Sequence, residues 1–225
     1  MIRVAVAGAA GRMGQTVCRA VEGAHDLELS GRADPALGTT VGEVLGGADV
    51  LVDFTVPGTA LENARAAVAA GVHVVIGTTG FDLDALRELR GANVFVAPNF
   101  AIGAVLMMRF AEQAAAHMRA AEIIELHHDG KLDRPSGTAA RTAELMRRAR
   151  GGGGAGGAEV PIHSVRLPGL VAHQEVILGD VGQTLTIRHD SVDRESFMPG
   201  VLLAVRRVGS LTESPVIGLE HLLGV

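Results

Sequence analysis

The residues whose types and spacing most suggest chemistry form one run, residues 125–138, which reads E-L-H-H-D-G-K-L-D-R-P-S-G-T. Consecutive residues of a regular strand point to opposite faces, so two adjacent histidines do not easily share a pocket. Because Asp129-Gly130 marks a turn directly afterwards, we expect a strand end whose twist gathers His127, His128 and Lys131 around one loop. Two imidazoles and an ammonium group repel one another, which predicts lowered pKa values until an anion binds.

The same run ends in a pattern typical of a helix start. Pro135-Ser136-Gly137-Thr138 would expose the N–H groups of a first turn, and the hydroxyls of Ser136 and Thr138 add donors. A cationic loop beside such a helix start fits a small substrate with one or two carboxylates. The alternative is a solvated basic loop on a helix cap. No metal site is expected, because adjacent histidines rarely chelate one ion and Cys18 lies far away in the sequence.

A second candidate site precedes this run in the chain. Residues 8–14, G-A-A-G-R-M-G, follow an apolar strand and open a helix. Glycines there let the backbone turn tightly and approach a pyrophosphate, which binds the N–H groups of the helix start. Asp34 follows the second strand, where a dinucleotide-binding domain places the acid that binds the adenosine ribose. The alternatives are a tight turn with close helix packing and a solvated turn before Pro35.

Asp34 and its neighbours bear on the choice of coenzyme. A carboxylate accepts hydrogen bonds from ribose hydroxyls and repels a 2′-phosphate, and Pro35 follows it instead of a basic residue. Arg12 and Arg32 remain as phosphate clamps. We therefore expect NADH to be used at least as well as NADPH. Farther along, Gly77-Thr78-Thr79-Gly80 ends a strand and suits backbone contact with a nicotinamide ribose, although an ordinary turn has the same composition.

Short apolar runs alternating with helical patterns must position these residues. We predict strands at residues 2–7, 27–31, 50–54, 72–76 and 94–97, with helices at 11–21, 55–70 and 82–89. The second helix would be capped by Thr55, with Pro57 in its first turn and Gly71 after its end. Such alternation predicts a parallel, Rossmann-like sheet whose ligands bind beyond the carboxyl ends of the strands. Those ends carry Gly8, Asp34, Thr55, Gly77 and Asn99.

The pattern changes after Asn99. A long apolar helix at 101–118, a strand at 123–128 and a helix at 137–150 precede three strands at 162–167, 171–178 and 184–189. We expect the glycine-rich residues 151–157 to be a flexible link or a loop tip, and a helix at 196–208 to be interrupted or started late by Pro199-Gly200. This order favours an α/β fold class with a second, α+β domain that carries a mixed or antiparallel sheet. We assign residues 1–100 with 209–225 to the dinucleotide-binding domain and 101–208 to the second domain.

Composition disfavours several classes of partner. The 225 residues carry a net charge of −5, which argues against nucleic acid and anionic membranes, and 6 Phe with no Trp or Tyr offer few stacking platforms for single-stranded nucleic acid. The apolar run at 2–7 is too short for a signal peptide, and no run of about 18 apolar residues predicts a membrane span. One cysteine, Cys18, allows no internal disulfide and suits a reducing compartment, so we expect a cytoplasmic protein.

Five motifs together resemble the dihydrodipicolinate reductase family over almost the whole chain. They are G-A-A-G-R-M-G at 8–14, D-F-T at 53–55, V-I-G-T-T-G-F at 75–81, A-P-N-F at 97–100 and the run at 125–138. The combination of H-H-x-x-K with P-S-G-T is specific, whereas the glycine loop alone is not. The resemblance implies reduction of a cyclic imine dicarboxylate, 4-hydroxy-tetrahydrodipicolinate, by hydride from NADH or NADPH in lysine and diaminopimelate biosynthesis. It also implies a homotetramer joined through sheets of the second domain. The second domain would bind the small dicarboxylate substrate.

The resemblance further implies a role for each matching residue. His127 would transfer a proton with Lys131 as its partner, and His128 would bind the substrate. Gly137 and Thr138 would hold a substrate carboxylate. The cofactor-binding positions would be Gly8, Ala9, Ala10, Gly11, Arg12, Met13, Asp34, Gly77, Thr78, Thr79, Ala97, Pro98, Asn99 and Phe100. The chain departs from the longer members of the family at Pro35, where they carry a basic residue.

Two rival functions stay open on the residues alone. A semialdehyde dehydrogenase would need a nucleophilic cysteine, but Cys18 falls within the first helix and is better explained as a buried small apolar residue. A dinucleotide-binding redox sensor would keep the glycine loop but would not need the His-His-Lys cluster. Arg166 and His173, which flank Pro168-Gly169, are further candidates for facing the substrate pocket.

Overall fold

The computed structural model describes residues 1–151 and 159–225 of the chain. Except for Gly151, the glycine-rich stretch expected to form a link lies outside the described residues. The described residues divide into two compact units, one of residues 1–100 with 197–224 and the other of residues 101–196 with 225. No helix in this part of the chain is long and apolar enough to cross a membrane.

The strands and α-helices of the described residues follow one another in an α/β order. The strands are β1 (Ile2–Ala7), β2 (Leu27–Ala33), β3 (Val50–Asp53), β4 (His73–Ile76), β5 (Val94–Val96), β6 (Ala120–His127), β7 (Ile162–Arg166), β8 (Ala172–Asp180), β9 (Gln183–Ser191) and β10 (Val216–Ile217). The α-helices are α1 (Arg12–Glu22), α2 (Val41–Leu45), α3 (Pro57–Ala69), α4 (Ile102–Ala115), α5 (Gly137–Ala149), α6 (Met198–Val208) and α7 (Glu220–Leu223).

The first unit is built on a six-stranded sheet of order β10-β5-β4-β3-β1-β2, in which every neighbouring pair is parallel. The central strands are continuous apolar runs because both faces of such a sheet are covered. On one face Leu51, Val74 and Ile76 share a buried cluster with Ala64 and Ala67 of α3. The predicted Rossmann-like sheet is therefore confirmed.

The second unit carries a four-stranded mixed sheet of order β7-β6-β8-β9. β6 runs parallel to β7, whereas β6–β8 and β8–β9 are antiparallel. Alternate residues of β6 and β8, including Ile123, Val176 and Leu178, face a buried cluster that contains Met107 of α4 and Met146 of α5. Both long helices thus pack on the same face of the sheet, as an α+β arrangement requires.

Several element boundaries differ from the predicted ones. Thr55 does not cap α3, because the N-cap is Val56 and the Thr55 hydroxyl donates to Asp53 instead, at 2.8 Å. Pro57 does open the helix, and Gly71 follows it with φ +76°. The helix expected at 82–89 is a short 3-10 helix, Asp84–Glu88. The helices α2 and α7 and the strand β10 were not predicted; each is five residues or shorter.

The return of the chain to the first unit comes at Phe197, twelve residues before the boundary expected at 209. The reason is α6, which contacts α1, β4 and β5 of the first unit. Its side chains Val201, Ala204 and Val205 are almost completely buried. Pro199 lies in the first turn of α6, so the helix starts late, at Met198, after the 3-10 helix Arg194–Phe197.

Candidate active site

The glycine loop at residues 8–14 is shaped by backbone approaches that only glycine permits. Gly8 has φ +77°, and a Cβ there would lie 2.4 Å from the carbonyl oxygen of Phe54. A Cβ on Gly14 would lie 2.0 Å from the carbonyl oxygen of Gly8. The N-cap of α1 is Gly11, which has no side chain to occupy the first N–H groups of the helix. Such a bare helix start suits an anion such as a pyrophosphate.

Asp34 joins the glycine loop to the end of β2. One of its carboxylate oxygens accepts the N–H of Ala10 at 3.0 Å, and the other accepts the N–H of Ala36 at 2.8 Å. These bonds fix the carboxylate and leave further lone pairs for hydroxyl donors. The carboxylate lines a cavity of about 420 Å³ together with Gly8, Thr40 and Asn63. This arrangement fits the adenosine half of a dinucleotide.

Asp53, at the end of β3, is completely buried and gathers the neighbouring turns. Its Oδ1 accepts the hydroxyls of Thr55 and Thr78, both at 2.8 Å, as well as the N–H of Thr55 at 3.0 Å. Its Oδ2 accepts the amide of Asn63 at 2.8 Å. The carboxylate therefore positions the turn after β4 relative to the start of α3. Residue-level reasoning overlooked Asp53 and Asn63, although a lone acid closing an apolar strand was a usable signal.

The remaining predicted cofactor positions differ in what they expose. Gly77 packs against the ring of Phe54, and a Cβ at this position would overlap that ring. Thr79 and Pro98, by contrast, are exposed to solvent. The side chains of Ala97 and Phe100 are core residues with 0% and 2% exposure, so only their backbone can meet a ligand. The other predicted positions, Ala9, Ala10, Gly11, Arg12, Met13 and Asn99, lie on the glycine loop or on the segment after β5.

His127 ends β6 with its ring nitrogen Nδ1 2.5 Å from Oε2 of Glu125. The alternation of β6 puts both side chains on the helix-covered face, where Glu125 is completely buried and the side chain of His127 is 14% exposed. Burial lowers the pKa of His127, and Lys131 and Arg166 lower it further, while Glu125 opposes them. The predicted direction of this shift is correct, but its main cause is burial.

Arg166 at the end of β7 clamps Glu125 from the other side. Its NH1 and NH2 groups donate to the two carboxylate oxygens, each at 2.8 Å. Burial works to raise the pKa of Glu125, but hydrogen bonds from Arg166, Ser164 and His127 outweigh it and lower the pKa to about 2. Arg166 also donates to the carbonyls of Lys131 and Asp133, at 3.3 and 2.7 Å, so it holds the loop after β6.

The expected repulsion between cations is present, since Lys131 and Arg166 lower the pKa of His127, but each of these groups also pairs with an acid. Nζ of Lys131 lies 2.8 Å from Oδ1 of Asp133, and Glu125 lies between His127 and Arg166. The prediction named the cations of the run at 125–138 but not Glu125 and Asp133, the acids of the same run that pair with them. His127, Lys131 and Arg166 thus each have an anionic neighbour.

The start of α5 at Gly137 lies beside this cluster. The N–H of Ser136 donates to Oε1 of Glu125 at 3.3 Å, and the Ser136 hydroxyl accepts the N–H of Ala139 at 3.2 Å. Ser136 is buried and caps the helix, which corrects the expectation that its hydroxyl contributes to an anion site. Gly137 and Thr138 occupy the first helical positions, where N–H groups cannot reach a carbonyl of the same helix.

His128 and His173 lie apart from the buried cluster. His128 follows β6 and is exposed on the loop that carries Lys131. In the register of β6 and β8, His173 opposes Leu126 rather than His127, so it occupies the other face of the sheet. Its Nδ1 lies 2.7 Å from Oδ1 of Asp190 there. Of the two weaker candidates, Arg166 therefore belongs to the cluster and His173 does not.

No three His, Cys, Asp or Glu side chains of residues 1–151 and 159–225 lie together in a way that could hold a metal ion. Cys18 is buried, and burial raises the pKa of its thiol. A thiol with a raised pKa is a poor nucleophile, which argues against the chemistry of a semialdehyde dehydrogenase.

Comparison with known proteins agrees with this geometry. Dihydrodipicolinate reductase, N-terminus, matches residues 2–100, and dihydrodipicolinate reductase, C-terminus, matches residues 103–223. The 4-hydroxy-tetrahydrodipicolinate reductase of Thermobifida fusca (strain YX) is 51% identical and that of Nocardia farcinica (strain IFM 10152) is 52% identical. The alignments cover 100% of this chain and of the first relative, and 99% of this chain and 98% of the second.

A solved structure gives the same result. The dipicolinate-bound dihydrodipicolinate reductase from Paenisporosarcina sp. TG-14 is similar with a TM-score of 0.83 and 38% sequence identity, over 98% of this chain and 99% of that one.

The chain belongs to the dihydrodipicolinate reductase family. Its membership confirms the resemblance carried by the five motifs and makes it an oxidoreductase that uses NADH or NADPH. The first unit supplies the dinucleotide-binding fold of the family. Neither rival function agrees with family membership over the whole chain.

In this member of the family, replacing Asp53 with Asn should lower the free energy of unfolding by about 1–3 kcal/mol, because an amide NH₂ group then faces buried donors. NADH binding should also weaken, since the turn after β4 loses its anchor. Urea unfolding and a titration of NADH fluorescence measure the two effects.

Asp49→Asn is the matched control for this change. Asp49 directly precedes β3 and pairs with Arg3 at the surface, where its side chain is 41% exposed, so its loss should cost less than about 1 kcal/mol. Equal destabilisation by the two substitutions, with unchanged NADH affinity, would contradict the role given to Asp53.

Proposed function

We propose that this chain reduces 4-hydroxy-tetrahydrodipicolinate with hydride from NADH or NADPH, in lysine and diaminopimelate biosynthesis. The observation that carries the proposal is the partly buried His127, held by Glu125 beside Lys131 and the start of α5. Family membership supports the same reaction, since the Thermobifida fusca relative bears this enzyme name. The dipicolinate bound to the Paenisporosarcina protein is a cyclic dicarboxylate of the expected kind.

The first unit is the proposed dinucleotide-binding domain. The glycine loop, shaped by the close approaches at Gly8 and Gly14, would hold a pyrophosphate over the start of α1, and Asp34 would accept the adenosine ribose hydroxyls. Thr78 and Thr79 would lie along the nicotinamide ribose. When bound, the coenzyme supplies the hydride that reduces the ring, and the protein supplies alignment.

The second unit is the proposed substrate-binding and oligomerisation domain. The 4-hydroxyl group must leave as water before or during the reduction, which gives the unsaturated ring that accepts the hydride. After hydride addition, the neighbouring ring carbon must gain a proton, and His127 in its imidazolium form is the proposed general acid. Burial lowers the pKa of His127, and a dianionic substrate would raise it, so that the imidazole would be protonated when the substrate is bound. Lys131 would leave Asp133 to contact a substrate carboxylate or share the proton transfer.

The substrate carboxylates need donors that are placed before binding. Gly137 and Thr138 lie at the first positions of α5, where a backbone N–H group and a hydroxyl would hold one carboxylate. His128, on the exposed loop after β6, would contact the substrate from the other side. A site in which anions meet oriented donors selects a dicarboxylate over a neutral ring.

A homotetramer is part of the proposal. The face of the second sheet opposite to α4 and α5 carries Ile124, Leu126, Val165 and Ile177, which are only half-buried within one chain. Apolar patches rimmed by charged pairs are typical of subunit interfaces, and Glu175–Arg188 forms such a pair at 2.7 Å. We also place the enzyme in the cytoplasm, which supplies soluble nicotinamide coenzymes and keeps Cys18 reduced.

His127→Ala should lower kcat by about two to four orders of magnitude, as expected when a general acid is lost. The assay follows NADH oxidation with substrate generated in place from pyruvate and aspartate semialdehyde by the preceding synthase. The exposed His25 serves as control, and His25→Ala should leave kcat unchanged. If the folded wild-type chain binds NADH but oxidises none with this substrate, a redox sensor becomes the better account.

The ratio of kcat/KM with NADH to kcat/KM with NADPH tests the proposed role of Asp34 in coenzyme choice. We expect kcat/KM with NADH to equal or exceed that with NADPH, because the carboxylate repels a 2′-phosphate. Asp34→Asn should move the ratio toward NADPH by about tenfold, the effect of removing one like charge near the surface. A strong NADPH preference in the wild-type chain would be the opposite of this expectation.

Light scattering tests the tetramer. The wild-type chain should have four times the 23.2 kDa of one chain, and Ile177→Asp should give smaller species by placing a charge in the interface. NADH binding, a property of the first unit, reports whether the variant is folded. A wild-type monomer, or a variant that remains tetrameric, would show that this face is not the interface.

A further inference from the structure

Glu125 is the most completely engaged acid of the second unit. It has 0% exposure, and its two carboxylate oxygens accept from Arg166, from the N–H of Ser136 and from the His127 ring. Three segments meet at this one group: the end of β6, the end of β7 and the start of α5.

We propose that Glu125 is a positioning residue, which, clamped by Arg166, keeps a proton on Nδ1 of His127 and directs Nε2 toward the substrate. This inference rests on the proposed function, because it assigns a task to the general acid of that reaction. Glu125 does not itself touch the reacting ring. It acts through the imidazole and through the start of α5.

The geometry determines which nitrogen exchanges the proton. Oε2 of Glu125 lies 2.5 Å from Nδ1, and hydrogen bonds from Arg166 lower the carboxyl pKa to about 2, so this oxygen is an acceptor at neutral pH. An acceptor facing Nδ1 requires a proton on Nδ1 in both the neutral and the charged ring. Nε2 is then the nitrogen that gains and loses a proton.

Stability alone is a poor reason for this arrangement. Burying a carboxylate and a guanidinium costs free energy, and an apolar pair of similar volume often stabilises a protein equally well. What the charged pair adds is orientation. Arg166 donates to both oxygens of Glu125 and also to the carbonyls of Lys131 and Asp133. The Arg166–Glu125 pair therefore fixes the orientation of the His127 imidazole and the position of the loop that carries Lys131.

The charged groups around His127 give the sign of the pH effect. Glu125 of its own strand raises the pKa of His127, whereas Lys131 of the next loop and Arg166 of β7 lower it. The position opposite on β8 is Ala172, which carries no charge. Removing the Glu125 charge would therefore lower the pKa of His127 further. Because a general acid works only while protonated, activity would then fall at a lower pH.

The first test uses the wild-type chain and needs no turnover. Imidazole ¹⁵N shifts of histidine-labelled protein, assigned by the signals missing from His127→Asn, should show neutral His127 with its proton on Nδ1. Free histidine prefers the other tautomer, so this result would identify the influence of Glu125. A neutral ring with its proton on Nε2 would overturn the inference.

The second test compares Glu125→Gln with Glu144→Gln. Glu144 belongs to the same unit and pairs with Arg147 and Arg148, but at the surface of α5, so its loss should leave kcat unchanged. Glu125→Gln should lower kcat by about 10- to 100-fold, comparable to losing the outer partner of a working histidine. It should also move the high-pH loss of activity to lower pH, with the KM for NADH unchanged.

The outcomes separate the inference from the proposed function. A wild-type chain that does not reduce the substrate would refute the proposed function, while the tautomer of His127 would still be measured. A fall in kcat with an unmoved pH profile would make Glu125 merely structural and overturn the inference. If Glu125→Gln does not fold, the wild-type tautomer decides.

Discussion

Each unit of this chain is organised around a carboxylate that has no access to solvent, and the need to satisfy that carboxylate shapes the loops around it. Asp53 and Glu125 both have 0% exposure. A buried charge without donors costs several kcal/mol, so the fold must bring donors to it from distant parts of the sequence. Asp53 draws in Thr78, 25 residues away, and Glu125 draws in Arg166, 41 residues away. In both units the segments gathered in this way carry the candidate site residues.

The two carboxylates differ in the kind of donor that they meet. Asp53 is surrounded by hydroxyls, an amide and a backbone N–H group, none of which titrates near neutral pH. The hydrogen bonds of Asp53 to Thr55, Thr78 and Asn63 therefore do not depend on pH in the physiological range. Glu125 meets a guanidinium and an imidazole, and the imidazole does titrate. The same need to satisfy a buried acid thus gives the carboxylate non-titrating neighbours in the first unit and a titratable neighbour in the second.

The parts of the fold that could be predicted from sequence are those in which a local pattern has one physical solution. β1 was predicted with its observed bounds because its β-prone run, apolar from Val4 to Ala7 and followed by Gly8, suits a strand buried on both faces. Gly8 and Gly14 were identified because their backbone approaches admit no Cβ. The place of α6 was misjudged because its amphipathic pattern reveals a buried face but not which unit covers that face.

The candidate site was predicted unevenly for a similar reason. His127 and Lys131 stand out by residue type, whereas Glu125 was quoted only as part of a motif. Yet alternation along β6 already places Glu125 and His127 on the same face as the buried Ile123. An acid on the apolar face of a strand, two residues before a histidine, was therefore a readable signal. The contact of Arg166 with Glu125 could not be predicted in this way, because only the parallel pairing of β6 with β7 brings Arg166 near Glu125.

Exposure decides which ion pairs of the second unit a substrate can exchange. The pair of Lys131 with Asp133 has side chains 23% and 57% exposed, and such pairs contribute only about 0–1 kcal/mol. A substrate carboxylate can replace Asp133 there at little cost. The pair of Arg166 with Glu125 is 3% and 0% exposed, and separating it would leave two buried charges unsatisfied. Substrate binding should therefore release the ammonium group of Lys131 while the carboxylate behind His127 stays in place, so one cluster contains both a replaceable contact and a fixed one.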